Sequence, residues 1–272
     1  MAARRTTRGR ESIDGEFSVI AMTVLSVNVN KIALLRNSRG RDYPSVTGFV
    51  TRCLALGVKG ITVHPRPDER HITRQDVLEL SSLLQDFPEV EFNIEGYPSD
   101  RFLQLVGDVM PAQCTLVPDA PEQLTSDHGW DINANRAQLE NILRHLRSAG
   151  IRSSLFLDAD EAAVHAAADV KADRIELYTE DYARAFGTAR ETAVFGKYRD
   201  AAAKAGTLGV GVNAGHDLNL LNLPEFLRIP DILEVSIGHA LVVESIEHGL
   251  EQVISRYLAL IAESHKLADS IY

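Results

Sequence analysis

The sequence predicts an α/β protein that folds as a single (β/α)8 TIM barrel with extra helices. Three observations favour this fold: eight short apolar segments alternate with helix-period segments, no Pro/Gly/Ser-rich linker divides the chain, and its 272 residues suit a barrel of ~250 residues. A doubly wound open sheet is the alternative, but such sheets usually have fewer strands and often a Gly-rich first turn, which this chain lacks. We therefore expect residues 23–272 to form the barrel and residues 1–22 a poorly ordered leader.

The leader is predicted from charge and hydropathy at the start of the chain. Four arginines precede an apolar run from Phe17 to Val27, which is the arrangement of a signal peptide. Glu11, Asp14 and Glu16 interrupt that arrangement, however, and no small-residue cleavage site follows it. We therefore interpret residues 1–22 as a leader that runs directly into the first strand.

Predicted strands and helices alternate along the rest of the chain. Segments rich in Val, Ile and Leu with little polar alternation are typical of parallel strands buried on both faces, and eight are present: Thr23–Val29, Gly60–His64, Glu91–Glu95, Gln113–Val117, Ser153–Asp158, Arg174–Thr179, Leu208–Ala214 and Ile232–Ile237. Amphipathic segments between them predict helices at Val46–Leu56, Arg74–Leu84, Ser99–Val109, Arg136–Ser148, Glu161–Val170, Glu191–Ala205 and Ile246–Glu263. Thr73 and Asp160 are predicted N-caps, and Gly150 is predicted to end a helix.

Two segments interrupt this regular alternation. The polar stretch from Tyr178 to Phe195 predicts additional helix or a lid after the sixth strand. After the eighth strand, a short segment at Ala240–Glu244 precedes the last main helix. A short extra helix at that point often builds a phosphate site in such barrels, because the N–H groups at its start face the anion.

Composition and charge narrow the classes of function. Lys and Arg total 28 against 38 Asp and Glu, for a net charge of −10, which argues against a nucleic-acid-binding surface. Cys53 and Cys114 are far apart and have no CxxC spacing, so we expect neither a disulfide scaffold nor a cysteine zinc site. This cysteine usage fits a reducing compartment, and no apolar run reaches the ~20 residues of a membrane span. We therefore predict a cytoplasmic protein without a nucleic-acid or membrane partner.

Polar residues concentrate where the predicted strands end, which is where barrel enzymes place their active sites. The residues at or just beyond these ends include Asn28, Asn30, Lys31, Arg36, Arg39, His64, Arg66, Arg70, His71, Glu95, Glu176, Gly215, His216, Gly238 and His239. A single strand-end histidine could simply bind a loop carbonyl, and the arginines could form a solvated rim. Several such groups at one barrel mouth favour a functional site instead.

The chemistry of these residues predicts acid–base catalysis on phosphorylated small molecules. Carboxylates inside a barrel are costly to bury unless they are paired or used, which favours a function for Glu95 and Glu176. Arginine presents a donor fork that matches phosphate, and Gly215 and Gly238 would let the backbone approach an anion. No HxH or HExxH spacing and no nicotinamide or flavin fingerprint is present. We therefore predict an enzyme without a metal or cofactor.

Five sequence motifs together resemble one enzyme family. They are Asn28 with Leu35–Gly40, Gly60–Arg66, Arg70–Ile72, Val212–His216 and Ile237–Ala240, and the resemblance runs from about Thr23 to Ser264. The family is that of pyridoxine 5′-phosphate synthase. The resemblance implies a transferase of vitamin B6 synthesis that joins 1-deoxy-D-xylulose 5-phosphate to 3-amino-2-oxopropyl phosphate without a metal. It further implies release of inorganic phosphate and water, and assembly as a homo-octamer built from dimers.

The resemblance also implies roles for individual residues. The general bases would be His64 and Glu95, the proton donor His216, and the group that stabilises charged intermediates Glu176. The residues that hold the amino-ketone phosphate would be Asn28, Arg39, Gly238 and His239. The residues that hold the deoxyxylulose phosphate would be Arg66, His71 and Thr125.

Two sites depart from the pattern of many family members. Asn30 and Lys31 stand where an Asp-His pair helps to hold deoxyxylulose phosphate; Lys31 keeps a donor and a positive charge, whereas Asn30 lacks the charge of the acid. Asp217 stands where a glycine usually follows the proton donor. A carboxylate there is unfavourable beside phosphate, unless it points away and only the backbone N–H is used. We expect these changes to affect substrate orientation more than the class of reaction.

Two other functions stay open on the sequence alone. One is a Schiff-base aldolase or isomerase that acts on a phosphorylated sugar with Lys31 as the covalent amine. The other is a barrel that binds phosphorylated metabolites but has lost turnover through Asn30 and Asp217. A borohydride-trapped adduct on Lys31 would support the first, and substrate binding without phosphate release would support the second.

Overall fold

Eight parallel β-strands close into a barrel in chain order, with β1 hydrogen-bonded to both β2 and β8. The computed structural model describes residues 22–119 and 126–269. The strands are β1 (Val24–Asn28), β2 (Gly60–Val63), β3 (Glu91–Gly96), β4 (Gln113–Leu116), β5 (Arg152–Leu157), β6 (Arg174–Tyr178), β7 (Gly211–Gly215) and β8 (Ile232–Ile237). This closed barrel, with helices between its strands, confirms the predicted fold class. The predicted leader lies outside the described residues apart from Met22.

Helices pack around the barrel and connect its strands. Those in the described part of the chain are α1 (Asn30–Asn37), α2 (Val46–Ala55), α3 (Arg74–Leu84), α4 (Asp100–Val109), α5 (Ile132–Ser148), α6 (Glu161–Asp169), α7 (Glu180–Ala185), α8 (Glu191–Thr207), α9 (Leu223–Phe226), α10 (His239–His248) and α11 (Leu250–Asp269). Within the described ranges, none of these helices is long and apolar enough to cross a membrane.

The predicted helix termini have the expected capping contacts. The Thr73 hydroxyl accepts from the backbone N–H of Asp76 at 3.2 Å, and the Asp76 carboxylate accepts from the backbone N–H of Thr73 at 2.8 Å. The Asp160 carboxylate accepts from the N–H of Ala163 at 2.9 Å. Gly150 follows α5 with φ +75°, a conformation that glycine adopts without a Cβ clash. These local signals therefore set the helix boundaries as the sequence predicts.

One predicted loop is a helix. The chain turns into α1 directly after the first strand, at Asn30, although asparagine has a low helix propensity. The Asn28 side-chain oxygen accepts from the N–H of Asn30 at 3.1 Å, which satisfies a backbone donor at the start of the helix. Lys31 consequently lies on the first turn of α1, at the edge of the barrel mouth.

Helix ends also differ around the two irregular segments. The stretch from Tyr178 to Phe195 contains α7 and the start of α8, which confirms the additional helix. The segment predicted at Ala240–Glu244 extends to a ten-residue helix, α10. Gly249, at φ +85°, separates α10 from α11, so the last helix begins at Leu250 rather than Ile246. Likewise, α8 ends at Thr207 and the seventh strand begins at Gly211 rather than at Leu208.

The barrel interior is lined by a polar network, in contrast to the Val/Ile/Leu layers usual in such barrels. The hydroxyl groups of Ser26 and Thr62 lie 2.7 Å apart, and Asn93 donates to Thr62 at 3.3 Å. Farther along, the Gln113 amide of β4 donates across the barrel to Glu234 of β8 at 3.3 Å. The alternate residues of each strand, such as Ile61 and Val63 in β2, are apolar and belong to the core. In β2, therefore, the apolar residues lie on the side that packs against the helices.

Candidate active site

Four predicted catalytic residues lie at the carboxyl end of the barrel. Glu95 is the fifth residue of β3 and Glu176 the third residue of β6. His64 and His216 each directly follow a strand, β2 and β7 respectively. The Nδ1 atom of His64 lies 3.9 Å from Oε2 of Glu95, so the folded chain brings together two groups that are 31 residues apart in sequence.

His64 is held as a neutral base. Its backbone N–H donates to the Asn30 side-chain oxygen at 2.9 Å, and its side chain is buried. Burial lowers the pKa of His64 well below its ordinary value, and the positive charges of Arg66 and Arg70 and the neighbouring His71 add to the effect. A neutral imidazole beside a carboxyl group is suited to accept a proton at physiological pH.

Glu95 and Glu176 form a buried carboxyl pair with perturbed acidity. Burial raises the pKa of Glu95 well above its ordinary value, and the charges of Glu176 and Glu234 raise it further. Burial, again reinforced by Glu234, raises the pKa of Glu176 to about 8. Each residue has one buried oxygen that makes no hydrogen bond to the described part of the protein: Oε1 of Glu95 and Oε2 of Glu176. Glu176 therefore begins protonated at neutral pH, and each carboxyl group keeps one buried oxygen that can pair with a ligand.

Glu234 is a third buried carboxyl group that the sequence reasoning missed. Its Oε2 accepts from the amides of Gln113 at 3.3 Å and Asn213 at 3.4 Å, and it lies 3.8 Å from Nη1 of Arg174. Burial raises its pKa to about 7, against the opposing charge of Arg174. Glutamate is rarely buried without a partner. The position of Glu234 inside the apolar strand β8 is therefore a sequence signal that could have identified it.

The cationic side of the mouth is built around Arg66. Its guanidinium forms a buried ion pair with Asp119, which also accepts from the Ser126 hydroxyl at 2.7 Å. The ring of the buried His71 lies 6.4 Å from that of His64. Burial lowers the pKa of His71 to about 4, and the charges of Arg66 and Lys31 lower it further. Asp119 was not predicted, although its position just past the end of a strand is a signal for a site residue. Thr125 lies outside the described residues.

The arginines predicted around the site fall into two groups. Arg36 forms a two-pronged ion pair with Asp76 at the start of α3, and Arg70 pairs with Asp68 at 2.7 Å. These contacts account for both guanidinium groups as parts of the loop structure. Arg39, in contrast, is exposed just past the end of α1. Lys31 is also exposed, near the start of the same helix.

A backbone cradle is formed where β8 meets the end of β1. Gly238 precedes α10, and His239 is the first residue of that helix. A Cβ atom on Gly238 would lie 3.1 Å from the carbonyl oxygen and the Cβ of Asn28, so a larger residue would crowd Asn28 here. The N–H groups at the start of a helix favour an anion, and those of α10 lie beside the predicted phosphate ligands Asn28 and His239.

His216 and Asp217 form the far side of the mouth. Both have positive φ, +90° and +58°, directly after the end of β7. The Tyr178 ring meets the His216 ring edge to face with centroids 4.9 Å apart, and the Tyr178 hydroxyl donates to Glu180. The ligand atoms of Glu180, His216 and Asp217 lie within 4.8 Å of one another. The hydrogen bond from Tyr178 to Glu180 and the 3.5 Å contact between His216 and Asp217 already explain why these side chains lie together. We therefore assign no metal to them.

Comparison with known proteins places the chain among enzymes of one kind. Residues 25–263 match a family described as pyridoxal phosphate biosynthesis protein PdxJ. Pyridoxine 5′-phosphate synthase of Bacteroides thetaiotaomicron is 54% identical over 237 residues, covering 87% of this chain and 98% of that protein. The enzyme of the same name from Albidiferax ferrireducens is 48% identical over 247 residues, covering 89% and 98% respectively.

Solved structures with low sequence identity have the same fold. The tryptophan synthase A-subunit of Pyrococcus furiosus has a TM-score of 0.58 at 13% identity, covering 88% of this chain and 98% of its own. Phosphoribosylanthranilate isomerase of Thermotoga maritima has a TM-score of 0.54 at 12% identity, covering 89% and 100%. At this identity the likeness concerns the barrel and not the chemistry at its mouth.

Proposed function

The chain belongs to the PdxJ family of pyridoxal phosphate biosynthesis proteins, and we propose that its barrel mouth forms pyridoxine 5′-phosphate by acid–base catalysis. The reaction joins 1-deoxy-D-xylulose 5-phosphate to 3-amino-2-oxopropyl phosphate and releases inorganic phosphate and water. The observation that carries the proposal is the neutral His64 held 3.9 Å from the perturbed carboxyl group of Glu95. Condensation, dehydration and ring closure move protons but no net electrons, so these residues suffice without a metal or redox cofactor.

Two phosphate groups have to be held close together, and two cationic regions at the mouth are suited to this. We assign the amino-ketone phosphate to the cradle before α10, with Gly238 and His239 beside Asn28, and with Arg39 closing over it. Phosphate oxygens there would face the backbone N–H groups at the start of the helix, which favour an anion. Asn28 would hold the ligand from the opposite strand, β1.

The deoxyxylulose phosphate is assigned to the other region, around Arg66 and His71, with Thr125 as the remaining ligand. The Arg66 guanidinium forms an ion pair with Asp119, so a phosphate has to join or replace that ion pair. Lys31 exerts its charge on His71 and therefore lies near enough to bind the same substrate. Asn30 supports this side indirectly, because its side chain fixes the backbone of His64.

Proton transfers between opposite walls of the mouth would drive the reaction. His64 accepts a proton as the amine and the ketone join, and the Glu95 carboxyl group lies 3.9 Å from the His64 ring. Glu176 begins protonated, and a cationic imine intermediate beside it would draw off that proton and leave a stabilising carboxylate. His216, across the barrel at the end of β7, donates the proton that departing oxygen requires.

The two rival functions receive less support. A Schiff-base enzyme needs an amine shielded from water, whereas Lys31 is exposed on the first turn of α1. A binding protein without turnover would have no use for two buried carboxyl groups with raised pKa values at one mouth. Neither the side chain of Asn30 nor that of Asp217 separates His64 from Glu95.

Incubation with both substrates tests the proposal directly. We expect pyridoxine 5′-phosphate to appear by its absorbance and chromatographic retention, with inorganic phosphate released in equal amount. A parallel reaction with borohydride should leave Lys31 unmodified by mass spectrometry. Binding of both substrates without release of phosphate would refute the proposal in favour of a binding protein, and an adduct on Lys31 would favour the Schiff-base enzyme.

We also propose that the enzyme assembles as a homo-octamer of dimers and acts in the cytoplasm. Leu34 and Leu35 on α1 and Val243 and Ile246 on α10 are exposed apolar side chains on two helices that contact each other. Such neighbouring apolar groups favour contact with another copy of the chain. Both cysteines are buried and unpaired, which suits a reducing compartment. Light scattering of the purified chain measures the number of copies.

A further inference from the structure

The residue after the proposed proton donor carries a carboxylate that faces it. Oδ2 of Asp217 lies 3.5 Å from Nδ1 of His216. The contact lowers the pKa of Asp217, with His216 as the largest cause and the charges of His239 and Arg184 adding to it. Asp217 is therefore ionised at neutral pH, and its charge is directed to the imidazole.

The backbone holds both side chains in this arrangement. Consecutive positive φ values at His216 and Asp217 are uncommon for residues other than glycine. Neighbouring groups stabilise the turn: the N–H of Thr179 donates to the Gly215 carbonyl at 2.9 Å, and the Asn222 amide donates to the Asp217 carbonyl at 3.1 Å. A turn fixed from two sides gives the carboxylate a defined position.

We propose that Asp217 is a positioning residue that orients the His216 ring and favours its protonated form for proton donation. A carboxylate on the Nδ1 side stabilises the imidazolium, whose Nε2–H would then be the proton that is donated. The inference rests on the proposed role of His216 as proton donor. It assigns to the Asp217 side chain a role distinct from the use of its backbone N–H by a substrate.

Other groups around His216 act on the same equilibrium. A carboxylate oxygen of Glu180 in α7 lies within 4.8 Å of a ring nitrogen of His216. Arg184 of the same helix forms an ion pair with Glu180. Tyr178 of β6 contacts the ring edge to face, and His239 of α10 lies close enough to act on Asp217. The Glu180 carboxylate is bound by Arg184 and by the Tyr178 hydroxyl, whereas the Asp217 carboxylate lies 3.5 Å from the His216 ring.

Asp217→Asn is the variant that isolates the charge. Asparagine is nearly isosteric with aspartate and is among the few residues that tolerate positive φ, so the turn is retained. The matched control is Asp231→Asn: Asp231 is also exposed and has φ +59°, but it lies in the turn before β8. Both full-length variants are compared with the wild type.

The first measurement is the titration of His216 by NMR on histidine-labelled protein, with the resonance assigned through His216→Gln. We expect Asp217→Asn to move the titration midpoint down by about half a pH unit, the size of a partly exposed ion pair, and Asp231→Asn to leave it unchanged. An unchanged midpoint in Asp217→Asn would overturn the inference. This measurement needs no turnover, so it separates failure of the inference from failure of the proposed function.

The second measurement is the pH dependence of kcat/KM. A donor has to be protonated, so its loss of a proton forms the alkaline limb of the profile. We expect that limb to move to lower pH in Asp217→Asn by the same amount as the NMR midpoint, with the acid limb in place. A uniform decrease in kcat/KM at every pH, with no displacement of the limb, would show a structural role instead and would contradict the proposal.

Discussion

Glu176 of β6 lies against Gly215 of the neighbouring strand, β7. A Cβ atom on Gly215 would be 2.3 Å from Oε1 of Glu176, which is well inside contact distance. Gly215 is therefore required by the close approach of a carboxyl group, and its φ is not in the left-handed region. The position of the proposed catalytic carboxyl group depends on this absence of a side chain on the neighbouring strand.

Gly215→Ala should therefore displace Glu176 and impair turnover. We expect the added methyl group to lower kcat by at least about tenfold and to cost about 1–3 kcal/mol of stability through overpacking. Gly107→Ala is the matched control, since a Cβ there meets nothing within 4 Å and the position lies inside α4. That control should keep full activity and gain roughly 0.5–1 kcal/mol in urea unfolding. Equal activity of both variants would show that Glu176 need not stay in place.

His64→Asn should remove turnover while leaving substrate binding nearly intact. Asparagine keeps a polar side chain of similar reach but cannot accept and hold a proton, so we expect kcat to decrease roughly 10²–10⁴-fold. His165→Asn on the exposed face of α6 provides the control, because its ring pairs with Asp169 on the surface. Near-normal kcat in His64→Asn, measured by pyridoxine phosphate formation, would remove His64 from the mechanism.

Glu176→Gln should change how stability depends on pH. The folded pKa of about 8 exceeds the unfolded value of 4.5, so the folded state keeps a proton that the unfolded state loses. Stability contributed by this group is complete below pH 4.5, falls by about 1.4 kcal/mol for each pH unit above it, and is lost beyond pH 8.

Thermal unfolding between pH 5 and 8 measures this effect. Since glutamine is neutral throughout, the decrease in Tm with rising pH should be shallower in Glu176→Gln than in the wild type. Glu234, with its pKa raised to about 7, leaves a residual slope in both proteins. Parallel Tm profiles would mean that Glu176 is ionised in the folded protein at neutral pH.

Lys31→Ala should weaken binding of one substrate only. Loss of a charge-assisted hydrogen bond to deoxyxylulose phosphate is worth about 1.5–3 kcal/mol, or roughly 10- to 150-fold in Kd. Binding of the amino-ketone phosphate should change little, because its proposed ligands lie around α10. Lys31→His should restore part of the affinity. Calorimetry that returns wild-type dissociation constants for both substrates would instead identify Lys31 as a solvated residue at the rim.

The buried pair of Arg66 and Asp119 should respond strongly to removal of either partner alone. Arg66→Met leaves a buried carboxylate without its counter-ion, which typically costs about 3–5 kcal/mol of stability. Adding Asp119→Asn removes that charge, so the double variant should be more stable than Arg66→Met in urea unfolding. Additive losses would show that the two charges do not interact.

The fold was predictable from sequence because its signals are local. Apolar segments of strand length, spaced by amphipathic helices, define the eight units, and caps such as Thr73 mark where helices begin. Local sequence signals gave the wrong secondary structure where contacts with distant residues decide it. Asn30 begins a helix despite its weak propensity, since the Asn28 side chain satisfies its N–H and its own side chain binds the backbone of His64.

The predicted site residues were found as strand-end positions, and the resemblance supplied their individual roles. Asp119 and Glu234 were not predicted: their positions in or just past a strand are a signal, but the sequence does not show whether water or an arginine faces the carboxyl group. Only the folded chain places Asp119 against Arg66, and Glu234 within the reach of Arg174. Their influence on the predicted site is electrostatic and depends on distance and burial, which no local pattern encodes.

The sequence by itself determined the barrel, its polar carboxyl end and the family to which the chain is similar, since periodicity and motifs act over short stretches of chain. Tertiary structure alone decided the protonation of the mouth. Burial among other carboxyl groups makes Glu176 a weak acid, and burial beside Arg66 keeps His64 neutral. The physical reason is that the free energy of a charge depends on the solvent it loses and the charges it meets, and both are set only when distant strands close into one barrel.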